Sequence, residues 1–175
     1  SIGVCKVTCE KTYLEGLREA FLYDDKVIVE EEIKGREVEL SLLGNENPKV
    51  SCAGEITCDK GFYSYKAKYL SPSDAKLSIP ARIEEPTLRK LQRIALEVHE
   101  NLKIEGMSRV DCFLTSENEI FVNEVNTIPG FTEISMYPKL WEESGLNLKD
   151  LLEELIRLSR DRFSNEQKRK TTFEK

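Results

Sequence analysis

GMSRVDCFLTSENEIFVNEVNTIPGFTEISMY, residues 106–137, reads as two short strands joined by a tight turn, followed by a loop rich in Thr, Pro, Gly and Ser. Side chains alternate along a strand, so Arg109 and Asp111 share one face of the first strand, and Glu124 and Asn126 share one face of the second. If Glu117 and Asn118 form a two-residue hairpin turn, Asp111 stands against Glu124 and Arg109 against Asn126. Like charges opposed on adjacent strands destabilise a sheet, so a cation is expected between the two carboxylates. Hard oxygen ligands of this kind suit Mg²⁺. A cation beside an arginine is what phosphoryl transfer requires, because both offset negative charge on phosphate oxygens. A structural ion-pair cluster on an exposed sheet face is the competing interpretation.

Working outward, helix and strand patterns alternate. Residues 1–7 predict a glycine-containing loop leading into a strand. A helix is expected from about Cys9 to Tyr23, with Leu14, Leu17 and Phe21 as its apolar stripe. Val27-Ile28-Val29 predicts a short strand, running through Glu30-Glu31-Glu32-Ile33 to a Lys34-Gly35 turn. This acidic group reads either as a strand end able to meet a purine and a ribose, with Glu37, or as a solvated turn. From Glu37 to Leu42 the alternation is that of a strand buried on one side, and Val50 to Ile56 is a second. The elements suggest an α+β fold: an antiparallel sheet with helices on one face.

Between Thr57 and Pro80 periodicity is lost. Tyr63, Tyr65, Tyr69, Lys66 and Lys68 fall there, and a long loop of this kind is either functional or a flexible surface segment; the aromatic content favours a substrate cover. Pro86 suits a first helical turn, opening an amphipathic helix that carries Leu88, Leu91, Ile94, Ala95, Val98 and Leu102. His99 lies beside that stripe as a structural histidine. Pro138 to Ser144 reads as a short helix stopped by Gly145. Asn147 caps a last helix, and residues 164–175 predict a polar, disordered tail.

A net charge of −6, with 39% hydrophobic and 33% charged residues, fits a soluble globular protein and argues against a nucleic-acid or anionic-membrane partner. No stretch approaches the roughly 20 apolar residues of a membrane span. Cys5, Cys9, Cys52, Cys58 and Cys112 form no C-x-x-C pair and read as free thiols of a reducing cytoplasm, filling core or surface. With His99 the single histidine, zinc has no ligand cluster.

The runs EGMSRVDCFLT and FVNEVNTIPGFTEISMYPKLW closely resemble the C-terminal portion of D-alanine–D-alanine ligases, members of the ATP-grasp superfamily. The resemblance extends from SIGVCKV through VIVEEEIKGREVE and YSYKAKYLS to the last helix. It implies an ATP-grasp-type antiparallel sheet with packed helices. Residues 1–163 would form the ATP- and metal-binding catalytic region, without its upstream strands and the family's N-terminal domain. Asp111, Glu124 and Asn126 match ligands of two Mg²⁺ ions, with Mn²⁺ able to substitute. Arg109 matches the arginine that stabilises the acyl-phosphate and oxyanion, assisted by the Gly130 N–H. Ser135 and Met136 match the pair holding the second D-alanine carboxylate. Glu30, Glu31, Ile33 and Glu37 match adenine and ribose positions. In the mobile loop, Lys68 would approach the transferred phosphate, Tyr69 the second substrate, and Tyr63 lies earlier.

The implied reaction is cytoplasmic: ATP phosphorylates one D-alanine, and the amine of a second attacks the acyl-phosphate, giving D-alanyl-D-alanine for peptidoglycan precursor synthesis. The expected partners are D-alanine and ATP, with no nucleic acid and no membrane, and the resemblance leaves room for a homodimer of the full-length protein. Because the N-terminal domain and the phosphate-contacting lysines before the serine–glycine loop have no counterpart here, the 175-residue chain alone is expected to be inactive or nearly so. The rivals are a D-Ala–D-Ser or D-lactate ligase and a non-catalytic nucleotide-binding module of the same fold.

Overall fold

The computed structural model describes residues 2–58 and 75–170. The chain divides into two compact units, residues 1–33 with 58–76, and residues 34–57 with 77–175. Tyr63, Lys68 and Tyr69 lie outside the described residues, as does most of the expected substrate cover.

In the first unit, helix α1 spans Glu10–Ala20. Its start is fixed by Thr12, whose Oγ1 accepts from the Thr8 N–H at 3.1 Å and the Cys9 N–H at 3.1 Å, satisfying donors that a helix start leaves open. The inner face differs from the expected stripe, since Leu14 and Phe21 are exposed. Tyr13, Gly16, Leu17 and Ala20 instead line a cavity of about 380 Å³. Gly16 is the reason: a Cβ there would lie 2.6 Å from Cys5 Sγ and 3.0 Å from a Val7 methyl, so only glycine lets this side of α1 come that close. Neither the end of residues 1–7 nor Val27–Val29 forms a strand; Val4, Cys5, Val7 and Val27–Val29 line the cavity without entering a sheet.

The sheet is built of strands β1 (Arg36–Gly44), β2 (Lys49–Cys58), β4 (Gly106–Leu114) and β5 (Ile120–Asn126), which fall in the second unit but for Cys58, with β3 at Ala75–Ser78. The sheet order is β3-β2-β1-β4-β5, and the β1–β2, β1–β4 and β4–β5 pairings are antiparallel. Four residues are too few to show a period of two, which is why β3 was invisible within the 57–80 stretch. Helices α2 (Glu85–Asn101), α3 (Met136–Glu143) and α4 (Leu148–Gln167) complete the α+β architecture.

These helices cover both faces of the sheet, not one. Val38, Leu40 and Leu42 of β1 and Val110, Cys112 and Leu114 of β4 point to one face and pack against Leu91 and Ala95 of α2. One residue along, Leu43 turns to the opposite face and joins Tyr137, Trp141, Leu151 and Leu158 of α3 and α4. The expectation that β1 is buried on one side therefore fails: from Val38 to Gly44 every residue is buried.

Local chemistry sets the helix ends. Pro86 stands in the first turn of α2, where its missing N–H costs nothing. Gly145, with φ of 90°, terminates α3, and the Asn147 side chain accepts from the Asp150 N–H at 3.0 Å to begin α4. Helix α4 continues to Gln167, four residues into the stretch expected to be disordered; Arg162 pairs with Glu166 one turn on, and such pairs support a helix without an apolar stripe.

Candidate active-site face

The hairpin pairs Asp111 with Glu124 and Arg109 with Asn126, as the sequence indicates. The route to that register is different. The turn is one residue longer than a two-residue hairpin: Thr115 N–H donates to Glu119 C=O at 3.0 Å, Asn118 N–H to Thr115 C=O at 3.1 Å, and Asn118 takes φ of 61°. Leu114 then faces Ile120 and Cys112 faces Val122, and a bulge at Asn123 restores the Asp111–Glu124 pairing. Bulges re-aim side chains beside functional sites, and this one places the two carboxylates on a common face.

That face changes character along its length. On β1 and β4 the paired rows run Leu43–Met107, Ser41–Arg109, then Glu39–Asp111. The first row lies under α3 and α4, and the next two are buried and polar. Arg109 donates from Nε to Asp111 Oδ1 at 2.7 Å and from Nη2 to Asp111 Oδ2 at 2.6 Å, a two-pronged pair, while Nε is 2.8 Å from Glu39 Oε2. Glu39, Arg109 and Asp111 are only 5%, 6% and 8% exposed. Burial works against the guanidinium charge, yet the hydrogen bonds to Asp111 and the charges of Asp111, Glu39 and Glu124 outweigh it and hold Arg109 protonated above its usual range.

Asn126 completes the cluster. Its Nδ2 donates to Asp111 Oδ2 and to Glu124 Oε1, both at 3.2 Å. Arg109 thus sets its charge against Asp111 and Glu39, while the Asn126 amide spans Asp111 and Glu124. The two carboxylates, opposed on one patch, suit a hard divalent ion. Among the described residues no three His, Cys, Asp or Glu side chains gather to hold a metal; Asn126 would add an oxygen with its amide turned over, since here its NH₂ faces both carboxylates.

Sequence reasoning missed Glu39. The signal was present in the Glu37, Glu39, Ser41 alternation, but a strand taken to be half-solvated left Glu39 on the wet side. Cys112 points away into the core beside α2, and burial pushes its thiol up to about 12, so it is no nucleophile.

Past β5 the chain runs to Gly130 and the Thr132–Ser135 turn. Ser135 Oγ accepts from the Thr132 N–H at 3.0 Å, and the two hydroxyls lie 2.8 Å apart. A Cβ on Gly130 would sit 2.9 Å from Ser135 Oγ. Ser135 precedes the first turn of α3, whose backbone N–H groups form an anion-favouring end. Met136 is buried, its Sδ and Cε packed where a side chain on Gly54 would be, so what it can offer a ligand is its backbone. Tyr137 anchors the segment, donating its hydroxyl to Leu42 C=O at 2.9 Å. Glu30, Glu31 and Ile33 belong to the first unit, the two glutamates exposed, whereas Glu37 lies on β1 of the second.

The fold and this face define an α+β module with an arginine held among carboxylates. Residues 1–157 match the family model described as D-ala D-ala ligase C-terminus. The chain is 50% identical over 172 residues to the D-alanine–D-alanine ligase of Oceanobacillus iheyensis, covering 98% of this chain and 47% of that protein. It is 49% identical to D-alanine–D-alanine ligase A of Escherichia coli K12, covering 99% and 48%. Among solved structures it resembles the D-alanine–D-alanine ligase from Coxiella burnetii (TM-score 0.84, 40% identity, 96% of this chain and 44% of that one). It also resembles the VanG D-Ala:D-Ser ligase from Enterococcus faecalis (TM-score 0.80, 39% identity, 89% and 45%). The chain belongs to the D-alanine–D-alanine ligase C-terminal family and spans about half the length of the curated relatives it matches.

Proposed function

We propose that the chain is the catalytic part of an ATP-dependent ligase that joins two D-alanines through an acyl-phosphate, a carbon–nitrogen bond-forming step in cytoplasmic peptidoglycan precursor synthesis. The observation that carries this reading is the buried Arg109–Asp111 pair, in register with Glu124 and Asn126 on a single sheet face. Asp111, Glu124 and Asn126 would hold Mg²⁺ with ATP, and the bound ions would neutralise phosphate charge. Arg109, fixed in a site that excludes most water, offers a preorganised positive charge to the acyl-phosphate and to the oxyanion that follows; a donor already in place needs no reorganisation as charge develops. The Gly130 N–H is assigned to the same oxyanion. Ser135 and the N–H groups opening α3 would receive the second D-alanine carboxylate.

Glu30, Glu31, Ile33 and Glu37 are assigned to adenine and ribose. Lys68, Tyr69 and Tyr63 are assigned to the loop that shields the acyl-phosphate from hydrolysis. A tyrosine at position 69 favours an amine nucleophile. Among the described residues no helix is long and apolar enough to cross a membrane.

The test is an assay of the full-length protein with ATP, Mg²⁺ and D-alanine, following phosphate release and dipeptide. D-Alanine-dependent turnover that falls at least 100-fold in Glu124→Gln supports the reading, whereas dipeptide synthesis indifferent to that change removes it. The likeness to the VanG D-Ala:D-Ser ligase motivates a second arm. If D-serine replaces the second D-alanine with a higher kcat/KM, the nucleophile assignment changes and the chemistry stands.

A further inference from the structure

Two carboxylates flank a single N–H in the buried row, and Asp111 alone accepts its hydrogen bond. Arg109 Nε lies 2.7 Å from Asp111 Oδ1 and 2.8 Å from Glu39 Oε2, and Nη2 adds a second bond to Asp111. The fork is therefore aimed at Asp111, with Glu39 alongside, directly across the β1–β4 ladder from Asp111. A divalent cation placed among Asp111, Glu124 and Asn126 would draw on the same Asp111 oxygens. With Asp111 as its only carboxylate, Arg109 would then be left as a buried charge without a counterion, a costly state. The cation and the guanidinium would exclude one another.

From this geometry we infer that Glu39 is a positioning residue: it is the second station for Arg109, keeping the guanidinium on the site face when a cation engages Asp111. Nε needs to shift its hydrogen bond only from one oxygen to another already 2.8 Å away. Glu39 and Asp111 are both nearly buried, so the exchange takes place out of bulk water, where a lost ion pair is not replaced by solvation. Glu39 acts through Arg109 and touches no substrate in this scheme. The inference rests on the cation site proposed above.

The experiment uses the full-length protein with ADP saturating and Mn²⁺ as the probe, free Mn²⁺ being read by electron paramagnetic resonance. Glu124→Gln should weaken Mn²⁺ binding at least 10-fold; if it does not, the cation-site reading and this inference fall together. Given that control, Glu39→Gln and Glu39→Asp are each expected to weaken Mn²⁺ binding about 10-fold. Both should lower kcat while KM for ATP stays within 2-fold, a split that general loosening of the sheet would not give. Glu39→Asp keeps the charge and withdraws the carboxylate by one methylene. Wild-type Mn²⁺ affinity in Glu39→Asp, whether or not Glu39→Gln folds and weakens it, would show that Glu39 acts at most by charge and would overturn the proposal.

Discussion

Strands β4 and β5 hold one cluster between them yet sit in opposite surroundings. On β4, Arg109 and Asp111 are almost sealed, and every residue from Ser108 to Leu114 but Phe113 is buried; on β5, the sheet edge, Phe121 to Glu124 are all exposed. The inner strand carries groups whose desolvation is already offset by fixed partners. The outer strand carries groups still in water and able to change partners. A site that must take up and release a charged ligand can use both: a rigid half that sets position and an adaptable half that responds. The first half is a matter of stability and the second chiefly of binding, and this contrast can be broken experimentally.

The largest effect is expected at Arg109. Arg109→Ala leaves Glu39 and Asp111 as buried, uncompensated carboxylates, and a loss of about 3–5 kcal/mol is expected from urea denaturation. A loss under about 1 kcal/mol would mean that the row hydrates readily and that β4 is not the rigid half. Next is Leu114→Ala, which empties core space shared with α2; about 2–5 kcal/mol is expected by the same measurement. Its counterpart on the edge, Val122→Ala, should cost no more than about 0.5 kcal/mol.

Acid offers a gentler probe of β4. His99 is buried and bonded through Nδ1 to Ser108 Oγ at 2.7 Å. Burial lowers its pKa, against weaker raising contributions from the backbone at Gly44 and Ile104 and from Glu100. Its folded pKa lies below the unfolded value near 6.5, so the unfolded chain binds the extra proton first and stability falls as pH drops below about 6.5. The urea midpoint should fall over that window in wild type and fall less in His99→Gln. Equal slopes would place the acid sensitivity elsewhere. The smallest stability effect is expected for Glu124→Gln, within about 0.5 kcal/mol, even though it is the variant expected to abolish most turnover. A large destabilisation there would erase the distinction between the two strands.

Much of this was legible in the linear chain. Asn147, Gly145 and Pro86 act within a turn of their own position, so their helix ends follow from local chemistry. The facing of Asp111 and Glu124 was legible too, but for a partly mistaken reason: a turn one residue longer than expected is cancelled by the bulge at Asn123. Two local irregularities of opposite effect leave the same residues paired, and alternation alone cannot reveal either. The strand expected to follow the loop of residues 1–7 and the one at residues 27–29 fail because a short apolar run does not specify a ladder partner. In the first unit Val4, Ile28 and Val29 stay exposed, and their segments join no strand among the described residues.

The sequence by itself determined which side chains share a strand face, where most helices start and stop, and the family to which the chain belongs. These depend on spacing and on residue type, and both are properties of the linear chain. Only the tertiary structure decided that the Glu39 face is covered rather than wet. That outcome depends on α3 and α4, some 100 residues away in sequence, folding back over β1 and β4. Covering the face lowers the local dielectric, and the lower dielectric turns a row of ordinary charges into a tightly held Glu39–Arg109–Asp111 cluster.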